Sequence, residues 1–373
     1  MSYRSNLVNR TPRGRSGSPP GEYRGRMGSL IDWDLAAATA KRLSPAPPSV
    51  DRATAEAAVA ELYRATHTAA AHVAELTRLV EPPVSARTTV VDRAGWIDVN
   101  VRGMQTVMTP LVEKLTDANP VGRVGQAIGA RVTGTQAGAI VAFLSSKVLG
   151  QFEFFADPGG QLMLVAPNLV ATERQLNVDP SDFRLWVCLH EVTHRVQFTA
   201  VPWMRQHMLA EVSALSETID TDPNALRERV SSALTELSKM ARGQGDGAGV
   251  MSLLATPEQR AVLDRVTGFM SLVEGHAEYV MNAVSPDVIP SQRLIEERFG
   301  QRRKGGNPFD KLLRKLLGLD AKTRQYVNGS AFVRTVVNRV GIEDFNAIWS
   351  SPQTLPTKAE IAVPADWIAR VHG

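Results

Sequence analysis

His190-Glu191-Val192-Thr193-His194 sets two imidazoles and a carboxylate inside about one helical turn. Residues four apart on a helix project from the same face, so the two imidazoles can share one metal ion. Glu191 lies about 100° round the helix, near enough to reach a water on that ion without ligating it. Two neutral imidazoles suit zinc, and a third protein ligand leaves a fourth position open for water. Zinc lowers that water's pKa toward neutrality, so Glu191 can take its proton and later pass it to a leaving amine. The chemistry specified is hydrolysis of a peptide or amide. A lone helical histidine is usually a hydrogen-bonded core residue; two at this spacing around a glutamate seldom are.

A third ligand is sought downstream, in Val273-Glu274-Gly275-His276-Ala277-Glu278-Tyr279. Glu274 and Glu278 also share a helix face. Glu274 can bind the ion while Glu278 accepts a hydrogen bond from the far ring nitrogen of a ligating histidine. Gly275 removes a side chain where the second helix has to pack closely against the first. Glu211 and Glu217 lie nearer the motif and are rivals for the third position, and so is His276, although its i+2 relation to Glu274 turns it to another face. His276 and Tyr279 are candidates for stabilising an oxyanion, or are polar residues packed beside the site. Cys188, two residues before His190, points elsewhere and reads as an inert buried thiol.

The elements that must carry these residues are mostly helical. Asp179 as N-cap with Pro180 at the first helical position opens the helix of the two histidines; it runs to Pro202. Other helices are expected over 51–80, 90–115, 121–149, 203–220, 223–241, 257–284, 290–300, 308–318, 322–340 and 357–371, the last with a Thr357/Glu360 capping box. Phe152–Phe155 and Gln161–Ala166 flank the turn signal Asp157-Pro158-Gly159-Gly160 and form a small hairpin. Gln161–Ala166 is placed to serve as an exposed strand edge that binds an extended peptide, or is an ordinary buried strand. Flexible breaks are expected at Gly243–Gly249 and Lys304–Pro308. The fold class is mainly α with this one small β element.

Composition bounds the rest. A chain of 373 residues that is 43% hydrophobic and 21% charged has ample core and is neither fibrous nor disordered as a whole. With a single cysteine no intrachain disulfide forms, which favours a reducing, cytoplasmic compartment. Residues 1–28 hold six arginines against one glutamate, so the net charge of +4 leaves −1 for everything after Gly28. That segment, rich in Arg, Gly, Ser and Pro, reads as a disordered tail without a secretory signal. The near-neutral body argues against a specific nucleic-acid partner. Val132–Ser146 is uncharged but too short to span a membrane; Gly134 and Gly138 would let another helix approach it, and it reads as a buried core helix. The domain organisation expected is the tail, then one domain over 29–373. Within that domain 29–150 is a helical scaffold, 151–285 carries the metal site and 286–373 is a C-terminal helical part.

The chain resembles the zincin-like metallopeptidase family of actinobacteria and relatives, a family labelled as associated with biosynthesis of a deazaflavin coenzyme. The resemblance rests on Ile31-Asp32-Trp33-Asp34, Leu164-Val165-Ala166-Pro167-Asn168, the stretch from Leu185 to His194, and Val273 to Met281. It also fits zincins with a glutamate ligand, which carry that residue on a later helix some twenty residues beyond the second histidine. Here Glu274 follows His194 by 80 residues. The resemblance implies a mostly helical zincin fold and zinc-dependent hydrolysis; it supplies no substrate beyond an unspecified peptide or protein. The alternative is a zinc-binding scaffold or interaction protein whose catalysis has lapsed.

Overall fold

The computed structural model describes residues 30–82, 86–118, 123–218, 256–304 and 319–373. The tail over 1–28 and the helices expected over 223–241 and 308–318 lie outside them. So do both expected breaks, except Lys304, which ends a helix. From the N-terminus the elements are α1 (Trp33–Leu43), α2 (Arg52–Thr77), β1 (Arg87–Val91), α3 (Arg93–Ala118), α4 (Arg123–Ser145), β2 (Gly150–Glu153) and β3 (Gln161–Val165). They continue with α5 (Ala166–Leu176), α6 (Pro180–Ala200), α7 (Trp203–Glu217), α8 (Pro257–Ala283), α9 (Gln292–Lys304) and α10 (Leu319–Val340). The last are α11 (Ile342–Phe345), α12 (Lys358–Ala362) and α13 (Pro364–His372).

Local chemistry sets many of these boundaries. Asp32, Asp51, Asp179, Thr256 and Thr357 each accept a hydrogen bond from a backbone N–H three residues on, satisfying an amide the first helical turn leaves unpaired. The C-terminal helix expected as one piece is two, because Pro364 has no N–H to continue α12 and instead starts α13. Three short helices, α1, α5 and α11, were not expected.

The hairpin of β2 and β3 is present, antiparallel, with Phe152 opposite Leu162. A third strand joins it: Arg87-Thr88-Thr89-Val90-Val91 runs parallel to β3, with Val90 opposite Leu164. The helix expected from residue 90 therefore begins at Arg93, where Asp92 accepts from the Gly95 amide at 2.8 Å. The sheet order is β1-β3-β2, so Gln161–Val165 is the central strand and wholly buried, not the free edge. The edges are β1 and β2.

Alternation along β3 divides the interior. Leu162 and Leu164 join a core with Leu62 and Val73 of α2 and Phe183 and Leu189 of α6. Met163 and Val165 face the other way, toward Trp96 and Ile97 of α3 and Val141 of α4. A further core gathers Met204, Phe269, Leu272, Phe332 and Trp367 from α7, α8, α10 and α13. Each such fully buried side chain contributes about 1.5–3 kcal/mol. The helix α6 sits on the sheet between the first and last of these cores. Two arginines fix it along its length. Arg184 is buried between Glu173 of α5, at 2.6 Å, and Glu61 of α2; Arg195 donates two bonds to Glu81.

The glycines of α4 do admit another helix. A Cβ on Gly134 would lie 2.4 Å from the Asp32 carbonyl oxygen, and one on Gly138 2.6 Å from that of Ala36. The partner is α1, and it covers only that stripe. The remaining surface of α4 is largely open, with Ile128 62% and Val132 52% exposed, so the expectation of a buried core helix does not hold. Over Ala127–Ser145 this helix is long and apolar enough to cross a membrane by length and composition alone.

Candidate metal centre

Two helices from distant parts of the chain bring three donors together. α6 presents His190 and His194 one turn apart, their rings edge to face, with Nε2 atoms 3.1 Å from each other. α8 crosses α6 and places Glu274 Oε2 3.4 Å from His190 Nε2 and 3.6 Å from His194 Nε2. Zinc bonds to nitrogen and oxygen of about 2.0–2.1 Å in tetrahedral geometry separate neighbouring donors by about 3.3–3.4 Å. The observed triangle has that size, and two imidazoles with one carboxylate are the donor types zinc takes. His190 keeps 26% of its side-chain surface exposed, against 11% for His194 and 16% for Glu274, so the triangle is reached from the His190 side.

The electrostatics of the pocket favour added positive charge. Burial alone would lower the His194 pKa, but the hydrogen bond and charge of Glu274, with Glu191 and Gln197 adding to them, push it up to about 9. Burial would likewise raise Glu274, yet the two histidines outweigh it and hold the carboxyl well below its ordinary range. Glu191 behaves oppositely. Its burial prevails over the nearby histidines and raises its carboxyl. The backbone of β2 makes room for Glu191: a Cβ on Gly150 would stand 2.6 to 3.0 Å from its Cγ, Cδ and Oε1.

The rivals for the third position fall away on geometry. Glu211 receives three hydrogen bonds from Arg265, of 2.8–3.1 Å, and Glu217 is exposed at the end of α7. His276 is not at the open site. It is fully buried, its ring 5.6 Å from Phe345 and 5.3 Å from Trp349, and burial first, then the charge of His194, lowers its pKa to about 3. An imidazole in that position cannot touch a substrate oxyanion. Tyr279 is half-buried where two cores meet, five residues beyond Glu274 and round the helix from it, with its hydroxyl pKa raised by burial. Glu278 sits one turn past Glu274, as expected, but the partner of His194 Nδ1 is a different residue, Gln197, at 3.0 Å. The amide of Gln197 also meets Val273 O at 3.0 Å and His276 Nδ1 at 2.9 Å. Gln197 was not singled out in the sequence, though it stands three residues past His194 as the one uncharged amide in a buried apolar run. Gly275 was expected to ease the approach of α8 to α6. It instead lies against α10, where a Cβ would be 2.1 Å from Gly329 C.

Comparison with known proteins agrees with this arrangement. The crystal structure of a Chloroflexus aurantiacus protein, described as a candidate hydrolase with a novel fold, matches with a TM-score of 0.68 at 30% identity, over 92% of this chain and 99% of that one. No curated protein matches the chain. Neither the family match nor the structural one refers to a deazaflavin coenzyme. The family described as zincin-like metallopeptidases matches residues 31–368, and with nearly the whole chain inside that match, the protein belongs to it.

Proposed function

We propose that this protein is a zinc-dependent peptidase in which His190, His194 and Glu274 hold the ion and Glu191 is the general base. The single observation carrying the reading is the triangle of three donor atoms at 3.1–3.6 Å, of tetrahedral size, on two crossing helices. Zinc bound there would lower the pKa of water toward neutrality and polarise a substrate carbonyl.

The chain's own residues do the rest. Glu191 takes the proton of the attacking water and returns it to the leaving amine; its raised pKa suits a base that must also act as an acid near neutral pH. The substrate main chain is positioned by β2. Val165 N donates to Leu149 O at 2.8 Å, and the alternation of an antiparallel ladder then turns the backbone groups of Gln151 and Glu153 toward β3. Those of Gly150 and Phe152 face the free edge. An extended peptide paired there passes Glu191, because Gly150 is the residue in contact with it. The edge proposed for peptide pairing is thus β2, and Gln161–Ala166 takes the other of its two readings, the ordinary buried strand.

A peptide library incubated with zinc-loaded protein tests this. We expect cleavage that a chelator stops, and that Glu191→Gln abolishes while leaving one zinc bound per chain. Zinc-loaded protein that cleaves no peptide or amide would overturn the reading and leave a metal-bearing scaffold.

A further inference from the structure

We infer that Gln197 is a positioning residue: clamped by Val273 and His276, it fixes the tautomer and ring orientation of His194. The inference rests on the proposed metal site, and its direction follows from hydrogen-bond chemistry. Val273 O, a backbone carbonyl, can only accept. The Gln197 group facing it at 3.0 Å is therefore the NH2, and the Oε1 must be the atom 3.0 Å from His194 Nδ1. An amide oxygen only accepts, so His194 Nδ1 carries hydrogen. Its Nε2, directed at His190 and Glu274, is then the nitrogen left to ligate the ion.

The second hydrogen of the Gln197 NH2 points to His276 Nδ1 at 2.9 Å, which must accept. His276 is consequently the neutral Nε2–H tautomer. Its Nε2 is buried with no partner among the described residues, while the ring is held between Phe345 and Trp349. Both acceptors that orient Gln197 belong to α8, on either side of Glu274. One short stretch, Val273 to His276, therefore supplies the carboxylate donor and sets the orientation of a histidine on the other helix. A shift of α8 against α6 disturbs two donors together.

The test compares wild type with Gln197→Leu, which removes acceptor and donors at similar size. Zinc affinity is read by competition with a chromophoric chelator, and His276 by nitrogen-15 NMR of histidine-labelled full-length protein. Outer-shell partners of metal-bound histidines are typically worth 10–100-fold in affinity. We expect Gln197→Leu to lose about that much with its far-UV circular dichroism unchanged, and wild-type His276 to show the Nε2–H tautomer. Equal zinc affinity in wild type and Gln197→Leu overturns the inference. An Nδ1–H tautomer at His276 in the wild type does so without any variant. A wild type that binds no zinc overturns the metal site itself, and the tautomer then still reports on the hydrogen-bond chain.

Discussion

Replacing Gly275 by alanine puts a methyl carbon 2.1 Å from Gly329 C, 2.5 Å from Ser330 N and 2.6 Å from Gly329 Cα. All three are backbone atoms of α10, so no side chain can swing aside. Reaching an ordinary carbon contact of about 3.5 Å requires α8 and α10 to part by about 1.4 Å. Overpacking typically costs about 1–3 kcal/mol, and the rigid neighbour places this case at the upper end. Alanine returns about 1 kcal/mol of helix propensity, which leaves a net loss of about 2 kcal/mol. The displacement reaches further, because Glu274 is the adjacent residue and metal sites tolerate only about ±0.2 Å in donor distances. Denaturant unfolding of Gly275→Ala should give a lower midpoint with an unchanged slope, and chelator competition should give zinc binding at least tenfold weaker. Gly129→Ala is the control, since a Cβ there meets nothing within 4 Å; it should be neutral or slightly stabilising. A Gly275→Ala protein with wild-type midpoint and wild-type zinc affinity would refute the claim that the α8–α10 contact sets the position of Glu274.

Other expectations concern residues away from the donors. Glu360 accepts from Arg370 at 2.6 and 3.0 Å and from the Thr357 amide at 2.8 Å. Burial alone would raise its carboxyl, but these partners outweigh it and hold the pKa below the ordinary 4.5. A carboxyl depressed on folding stabilises fully above its unfolded pKa and loses that contribution as pH falls through the folded one. Glu360→Gln should therefore cost about 1–3 kcal/mol at pH 7, and urea unfolding should show the gap from wild type closing below pH 4.5; a gap independent of pH contradicts the pairing. Cys188 is fully buried and its thiol is pushed up to about 12, chiefly by burial. It should ignore a disulfide reagent in the native protein and react once denatured, and rapid native labelling would place it wrongly.

Much of the site was readable because its chemistry is local. His190, Glu191 and His194 lie within one turn, Asp179 and Pro180 announce the helix that carries them, and Thr357 with Glu360 announces another. Glu274 could be singled out by the residues around it, although only the fold brings it across 80 residues. What escaped depends on partners that no spacing encodes. Gln197 looks like any buried polar residue until Val273 and His276 are seen to face it. The strand Arg87–Val91 is five residues running straight into a helix, and only pairing with β3 makes it a strand. Helix α4 is apolar enough to suggest burial, but hydropathy does not say what covers it, and among the described residues only one stripe is covered by α1. Gln161–Ala166 was left between an exposed edge and an ordinary buried strand for the same reason: Gln161–Val165 could not be known as central before β1 was known to exist.

The distance in sequence between His194 and Glu274 has a consequence for how the chain folds. Two of the three donors come together as soon as one helix forms, whereas the third closes a loop of 80 residues, an entropy cost of about 4 kcal/mol in a flexible chain. Docking of α8 on α6 has to overcome that cost before three donors exist. An ion bound by the completed set would act as a cross-link between the two ends of that loop, and would favour the folded state by mass action. Metal supply and the fraction of chain folded would in this way be tied to each other.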